Sequence, residues 1–101
     1  MRTRPLLATI LFLVSARAVA DDAKAEVGKR VYVDYCATCH GEDLQNNSSA
    51  TFDLRRLREG ERARFFAAVR NGKKAMPSWK GVLGEDKIDA LWAYVRANAY
   101  P

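Results

Sequence analysis

The stretch Cys36-Ala37-Thr38-Cys39-His40 decides how this chain is read. Two thiols three positions apart fall on one face of a helical turn. From there they reach the two vinyl groups along one edge of a porphyrin, while the adjacent His40 points its imidazole at the iron. In an exported protein, Cys-x-x-Cys-His therefore reads as a covalent haem attachment site. The rival readings fit less well. A thioredoxin-like Cys-x-x-Cys needs a βαβ setting, and no β-rich stretch precedes Cys36. A structural zinc site needs four ligands, whereas the chain has two Cys and one His. A plain Cys36–Cys39 disulfide would leave His40 without a role.

Export is read from the first twenty residues. Arg2 and Arg4 give a positive start, Leu6 to Val14 is apolar apart from Thr9, and Ala18-Val19-Ala20 is a small-x-small cleavage site followed by Asp21-Asp22. Residues 1–20 are thus expected to be a cleavable secretory signal, with the protein in the periplasm. The apolar run is too short for a good membrane span, so no permanent anchor is expected. No cysteine near the cut indicates a lipid anchor. Residues 21–101 then make one domain. Domains this small often lean on a cofactor for their core, and a haem supplies a large apolar plate.

The formal net charge of +5 falls to +2 once Arg2, Arg4 and Arg17 leave with the signal. Basic and acidic residues are interspersed and no recognition motif appears, so a nucleic-acid role is excluded.

Residues 22 to about 36 read as a helix capped by Asp22. Val27, Val31 and Tyr35 recur every four residues, with Gly28 and Tyr32 on the adjoining face. Gly28 suits a close helix crossing there. Gly41 can end the helical turn after His40. Residues 42–54 read as a polar loop on the His side, with Leu44 and Phe52 as anchors. His40 needs an acceptor for its second ring nitrogen, usually a backbone carbonyl, which the sequence does not identify. Arg55, Arg56 and Arg58 are a solvated face, or a partner for a haem propionate. A second helix spans 61–71, with Phe65, Phe66 and Val69 as its apolar stripe and Asn71-Gly72 as its stop.

Met76 lies in Lys73-Lys74-Ala75-Met76-Pro77-Ser78-Trp79. Pro77 prevents a helix from running through it. With a haem motif upstream and no second histidine, its thioether is the candidate sixth ligand. Trp79 reads either as a haem-edge contact or as a core aromatic. Lys73, Lys74 and Lys80 flank the segment and are either solvated or a steering patch for an acidic partner. The clearest helix covers 85 to about 98, with Ile88, Leu91, Trp92 and Val95 at helical spacing and Gly84 as its entry residue.

The haem motif, Met76-Pro77 and Leu91-Trp92-Ala93-Tyr94-Val95, in that order, make the chain resemble a class I c-type cytochrome. The resemblance implies an all-α, cytochrome c-like fold with about three main helices wrapped round one covalently bound haem c. Its first and last helices would cross at Gly28 and Tyr32 against Leu91 and Tyr94, and His40 and Met76 would be the axial iron ligands. Members often carry a proline soon after the motif whose neighbouring carbonyl accepts from the ligand histidine. Residues 41–76 contain no proline. More narrowly, Phe52-Asp53-Leu54-Arg55, Asn71-Gly72 and Ala75-Met76-Pro77-Ser78-Trp79 resemble small exported cytochromes that accept electrons from quinoprotein (PQQ-dependent) alcohol dehydrogenases.

The function expected is one-electron transfer rather than enzymatic catalysis. The protein is expected to be a monomeric carrier between redox proteins, with a quinoprotein dehydrogenase as donor and a terminal oxidase of the respiratory chain as acceptor. The alternatives are a non-catalytic haem subunit bound to a dehydrogenase, or a haem peroxidase or gas-binding protein. The last needs an open iron site and a distal acid or base, and the chain has no second histidine.

Overall fold

The computed structural model describes residue 3 and residues 16–101. Most of the expected signal segment lies outside these. Among the described residues four α-helices form: α1 (Ala16–Tyr35), α2 (Ala37–His40), α3 (Arg62–Asn71) and α4 (Glu85–Ala97). Three single 3-10 turns, Glu42–Leu44, Leu54–Arg56 and Glu59–Glu61, shape the connections. Among the described residues there is no strand, only an isolated bridge between Lys73 and Met76. The all-α expectation with about three main helices is met, and α2 is a further short helix at the Cys36–His40 motif.

α1 starts at Ala16, six positions before the expected start, so Asp22 sits inside the helix rather than capping it. The residues from 16 to 27 include no Gly or Pro, and Ala and Arg are strong helix formers, so nothing stops the helix there. Its buried face also differs from the four-residue apolar repeat. Val27 and Tyr35 are 37% and 38% exposed, while Gly28, Val31, Tyr32 and Cys36 are buried. The reason is Gly28. A Cβ there would collide with the Ala90 carbonyl oxygen and lie 2.9 Å from Tyr94 Cβ. α1 thus crosses α4 in backbone contact at Gly28, as expected, and that close approach puts Tyr32 in the interface while Val27 and Tyr35 stay exposed.

α4 is the central element. Gly84 caps it in extended conformation, Glu85 and Asp86 occupy the first turn and Arg96 the last, as the helix dipole favours. It buries Ile88, Ala90, Leu91, Trp92, Tyr94 and Val95. Tyr94 packs against Tyr32 of α1 with ring centroids 5.4 Å apart. Trp92 packs against Phe65 of α3 at 5.1 Å. Each such large apolar side chain taken from water contributes about 1.5–3 kcal/mol, so the α1–α4 and α3–α4 contacts hold the frame. On the surface, Asp89 pairs with both Lys24 of α1 and Arg62 of α3, the latter at 3.0 Å. α3 ends at Asn71, and Gly72 (φ 73°) returns its N–H to the Ala68 carbonyl at 2.9 Å. Among the described residues no helix is long and apolar enough to cross a membrane.

Candidate functional site

The site begins where α1 meets α4. Tyr32 is fully buried, and its hydroxyl donates to the Gly41 carbonyl, directly after His40. Burial, then the neighbouring Cys36 and Tyr94, pushes the Tyr32 hydroxyl up to about 12, so it stays a donor. Gly41 has φ 90°, and a Cβ there would strike the Gln45 carbonyl. Only glycine turns the chain this sharply out of α2. Cys36 is buried and Cys39 exposed, and no disulfide joins them. Burial pushes the Cys36 thiol up to about 12, with Cys39 adding to it.

His40 is half-buried at the end of α2. Its Nδ1 lies 3.2 Å from the Phe52 carbonyl oxygen. A carbonyl only accepts, so Nδ1 carries the proton and Nε2 keeps its lone pair. Burial lowers the His40 pKa, and the Phe52 carbonyl opposes this. The imidazole is therefore neutral near pH 7, the form that binds metals.

The polar loop makes this contact possible. Leu44 is buried and anchors it, with Asp43 and Leu44 in left-handed conformation (φ 52° and 63°). Asn46 Nδ2 donates to the Thr51 carbonyl at 2.5 Å, folding the loop back towards Phe52. The Phe52 ring, expected as an anchor, is instead 43% exposed under the Arg64 guanidinium. Its carbonyl, not its ring, does the anchoring. Asp53 next to it accepts from the Arg55 N–H at 3.1 Å and from the Arg55 guanidinium at 3.1 and 3.3 Å. It also accepts from the Tyr100 hydroxyl at 3.0 Å. Of the three arginines considered for a propionate, Arg55 is thus engaged within the protein.

Met76 is half-buried and packs on the core cluster, as does Trp79. A tight turn presents it: Lys73 N–H donates to the Met76 carbonyl at 3.0 Å and Met76 N–H to the Lys73 carbonyl at 2.9 Å. Gly72 lets the chain double back, since a Cβ there would lie 2.6 Å from the Met76 carbonyl oxygen. Pro77 keeps the segment non-helical. The Trp79 backbone N–H then donates to the Val69 carbonyl at 2.9 Å, tying the segment to α3, and the Trp79 ring meets Tyr35 edge-on at 5.3 Å. Lys73, Lys74 and Lys80 are exposed.

The donor set is two thiols, one neutral imidazole with a free nitrogen, and one thioether. Among the described residues no three His, Cys, Asp or Glu side chains converge on a point, as a zinc ion would need. The set suits a group that takes thiols at its periphery and a nitrogen and a soft sulfur at iron. An open cavity of ≈ 440 Å³ lies beside the motif, lined by Val33, Ala37, Thr38, Glu42 and Asp43. Three contacts that shape the site are not legible in the sequence: the Phe52 carbonyl on His40, the Tyr32–Gly41 bond and the Asp53–Tyr100 contact. The first two involve backbone oxygens, which carry no side-chain signature.

A family model described as cytochrome C oxidase, cbb3-type, subunit III matches residues 23–95. The chain is 31% identical over 104 residues to the cbb3-type cytochrome c oxidase subunit FixPc of Rhizobium leguminosarum bv. viciae, covering 96% of this chain and 35% of that protein. It is 32% identical over 97 residues to cytochrome c6 of Nostoc sp., covering 92% and 86% of the two chains. It is 38% identical over 82 residues to cytochrome c6 of Euglena gracilis, covering 71% and 90%. The chain therefore spans about a third of the oxidase subunit and most of each cytochrome c6. No solved structure matches. The chain belongs to the cytochrome c family, whose members hold covalently attached haem c and carry electrons rather than act as enzymes.

Proposed function

We propose that this protein is a periplasmic one-electron carrier with a single haem c, joined through Cys36 and Cys39 and ligated at iron by His40 and Met76. The observation that carries the reading is the hydrogen bond from His40 Nδ1 to the Phe52 carbonyl, which fixes the tautomer and leaves Nε2 for a metal. The haem, when bound, supplies the Fe(III)/Fe(II) couple. The chain does the rest. Gly41 and Tyr32 hold the end of α2, and the Phe52 carbonyl sets the direction and basicity of the imidazole. Cys36 places one attachment point inside the core. The Met76 thioether favours the ferrous state and raises the potential. Burial acts the same way, because the oxidised centre carries the larger charge. Two protein ligands close the iron to substrate, in keeping with a carrier.

The donor we propose is a quinoprotein (PQQ-dependent) dehydrogenase and the acceptor a respiratory oxidase, with the carrier released after cleavage behind Ala20. The likeness around Phe52–Arg55 and Ala75–Trp79 supports the donor, and the relatives named as oxidase subunits support the acceptor. Stopped-flow reduction of the oxidised holoprotein by such a dehydrogenase with its alcohol, at low and high salt, tests this. Fast reduction that slows with salt is expected of a free carrier steered by Lys73, Lys74 and Lys80. No reduction by a protein with an intact His/Met spectrum removes this donor. The second reading, a haem subunit bound permanently in a larger complex, is favoured by the matched region being about a third of the oxidase subunit. Co-purification of a stoichiometric partner from the native source would favour it.

A further inference from the structure

We propose that Tyr100 is a positioning residue for the haem iron: its hydroxyl, through Asp53, holds the peptide whose carbonyl orients His40. The proposal rests on His40 being an axial ligand. The Phe52 carbonyl belongs to the peptide unit that also carries the Asp53 N–H, so the backbone angles of Asp53 and Phe52 aim it. Asp53 is held at φ −74°, ψ 105° by contacts on three sides. One carboxylate oxygen takes the Arg55 N–H and Nε, both at 3.1 Å. The other takes the second arm of the guanidinium at 3.3 Å and the Tyr100 hydroxyl at 3.0 Å. The Tyr100 backbone N–H closes the clamp by donating to the Arg55 carbonyl at 2.9 Å, and the Arg55 guanidinium lies 4.9 Å from the centre of the Tyr100 ring.

A second tie comes from α4, where an Arg96 guanidinium N–H donates to the Leu57 carbonyl at 2.5 Å. The end of α4 and the tail beyond it thus reach back along residues 53–57, the segment immediately after the carbonyl that meets His40. At 3.2 Å the His40–Phe52 bond is at the long end of the normal range, so a small further displacement of the peptide takes it out of that range. A stronger Nδ1–H···O=C bond makes the imidazole a better donor and favours Fe(III). Loosening the clamp therefore raises the midpoint potential.

Tyr100→Phe tests this in the holoprotein, because it removes the hydroxyl alone and keeps the ring over Arg55 and the backbone N–H. The readouts are the midpoint potential and, by NMR of the ferrous protein, exchange of the His40 Nδ1 proton with solvent. The expected result is a raised potential and roughly two- to fivefold faster exchange. Asp53→Ala should raise the potential as well, and adding Tyr100→Phe to it should have no further effect. Lys24→Ala, which loses a surface ion pair remote from the loop, should leave both readouts unchanged. If His40 proves a ligand and Tyr100→Phe moves neither readout, or moves them equally with and without the Asp53 side chain, the clamp is refuted alone. If the His40 ring shows no contact with the haem in the unaltered protein, the ligand assignment and the clamp fall together.

Discussion

Gly28→Ala should destabilise this protein even though alanine is the better helix former. In an open helix the change would gain about 1 kcal/mol. Here the new methyl meets backbone, not a yielding side chain. It would overlap the Ala90 carbonyl oxygen and stand 2.9 Å from Tyr94 Cβ, where ordinary contact begins at 3.4 Å. α1 must retreat from α4 along the contact that also seats Tyr32 against Tyr94. Overpacking costs about 1–3 kcal/mol, and with a backbone obstacle the upper end applies. The net loss is about 2 kcal/mol, or a fall in Tm of about 8–16 °C for a domain of this size. Thermal unfolding of the holoprotein followed by circular dichroism measures it. Gly60→Ala is the control, because nothing lies within 4 Å of a Cβ there, and its Tm should hold or rise slightly. A Gly28→Ala protein as stable as the parent would refute the close crossing and the placement of Tyr32 that depends on it.

Three further outcomes are expected. Asp89 has its pKa lowered by Lys24 and then Arg62, so its contribution is complete above its ordinary value of 3.8 and is lost as pH falls through its lower folded value. Asp89→Asn should therefore be less stable at pH 7 by about 1 kcal/mol or less, with the gap closing below pH 3.8 in urea titrations; a gap independent of pH would refute the ion-pair origin. Met76→Ala should lower the midpoint potential and let carbon monoxide bind the ferrous protein; an unchanged potential and spectrum would remove Met76 from the iron. His40→Ala should yield no stable holoprotein, read from haem content after purification, and normal loading with an unaltered spectrum would defeat the ligand assignment.

The parts of the fold written in side chains were legible from the sequence. The last helix follows from the spacing of Ile88, Leu91, Trp92 and Val95, and all four are buried. Asn71-Gly72 and Gly41 mark turns because positive φ favours glycine, and both glycines have it. The first helix was harder. Periodicity alone favours the Val27–Val31–Tyr35 edge, but the close crossing expected at Gly28 is borne out by its backbone contact with Ala90, and it seats Tyr32 against Tyr94 while Val27 and Tyr35 stay exposed. In the uncleaved chain α1 extends back to Ala16 because residues 16–21 hold no Gly or Pro, so Asp22, which has the chemistry of a cap, lies within it.

The site divides the same way. Cys36, Cys39, His40 and Met76 stand out by type and spacing. The acceptor for His40 does not, because any loop residue offers a carbonyl, and only the folding of residues 42–52 selects that of Phe52. The Asp53–Tyr100 contact spans 47 positions with two residues ordinary in isolation. The tail's role was therefore invisible before the loop and the last helix were placed together.

The central claim, iron held between His40 and Met76, is tested most directly by proton NMR of the ferrous holoprotein labelled at methionine methyl groups. Met76 is the one methionine outside the segment expected to be cleaved. A methyl held over the iron lies in the haem ring current. The account predicts a single methionine methyl resonance displaced far upfield of the normal aliphatic range and absent from Met76→Ala. A methyl resonance at its ordinary position, in a protein that retains covalent haem, would contradict it.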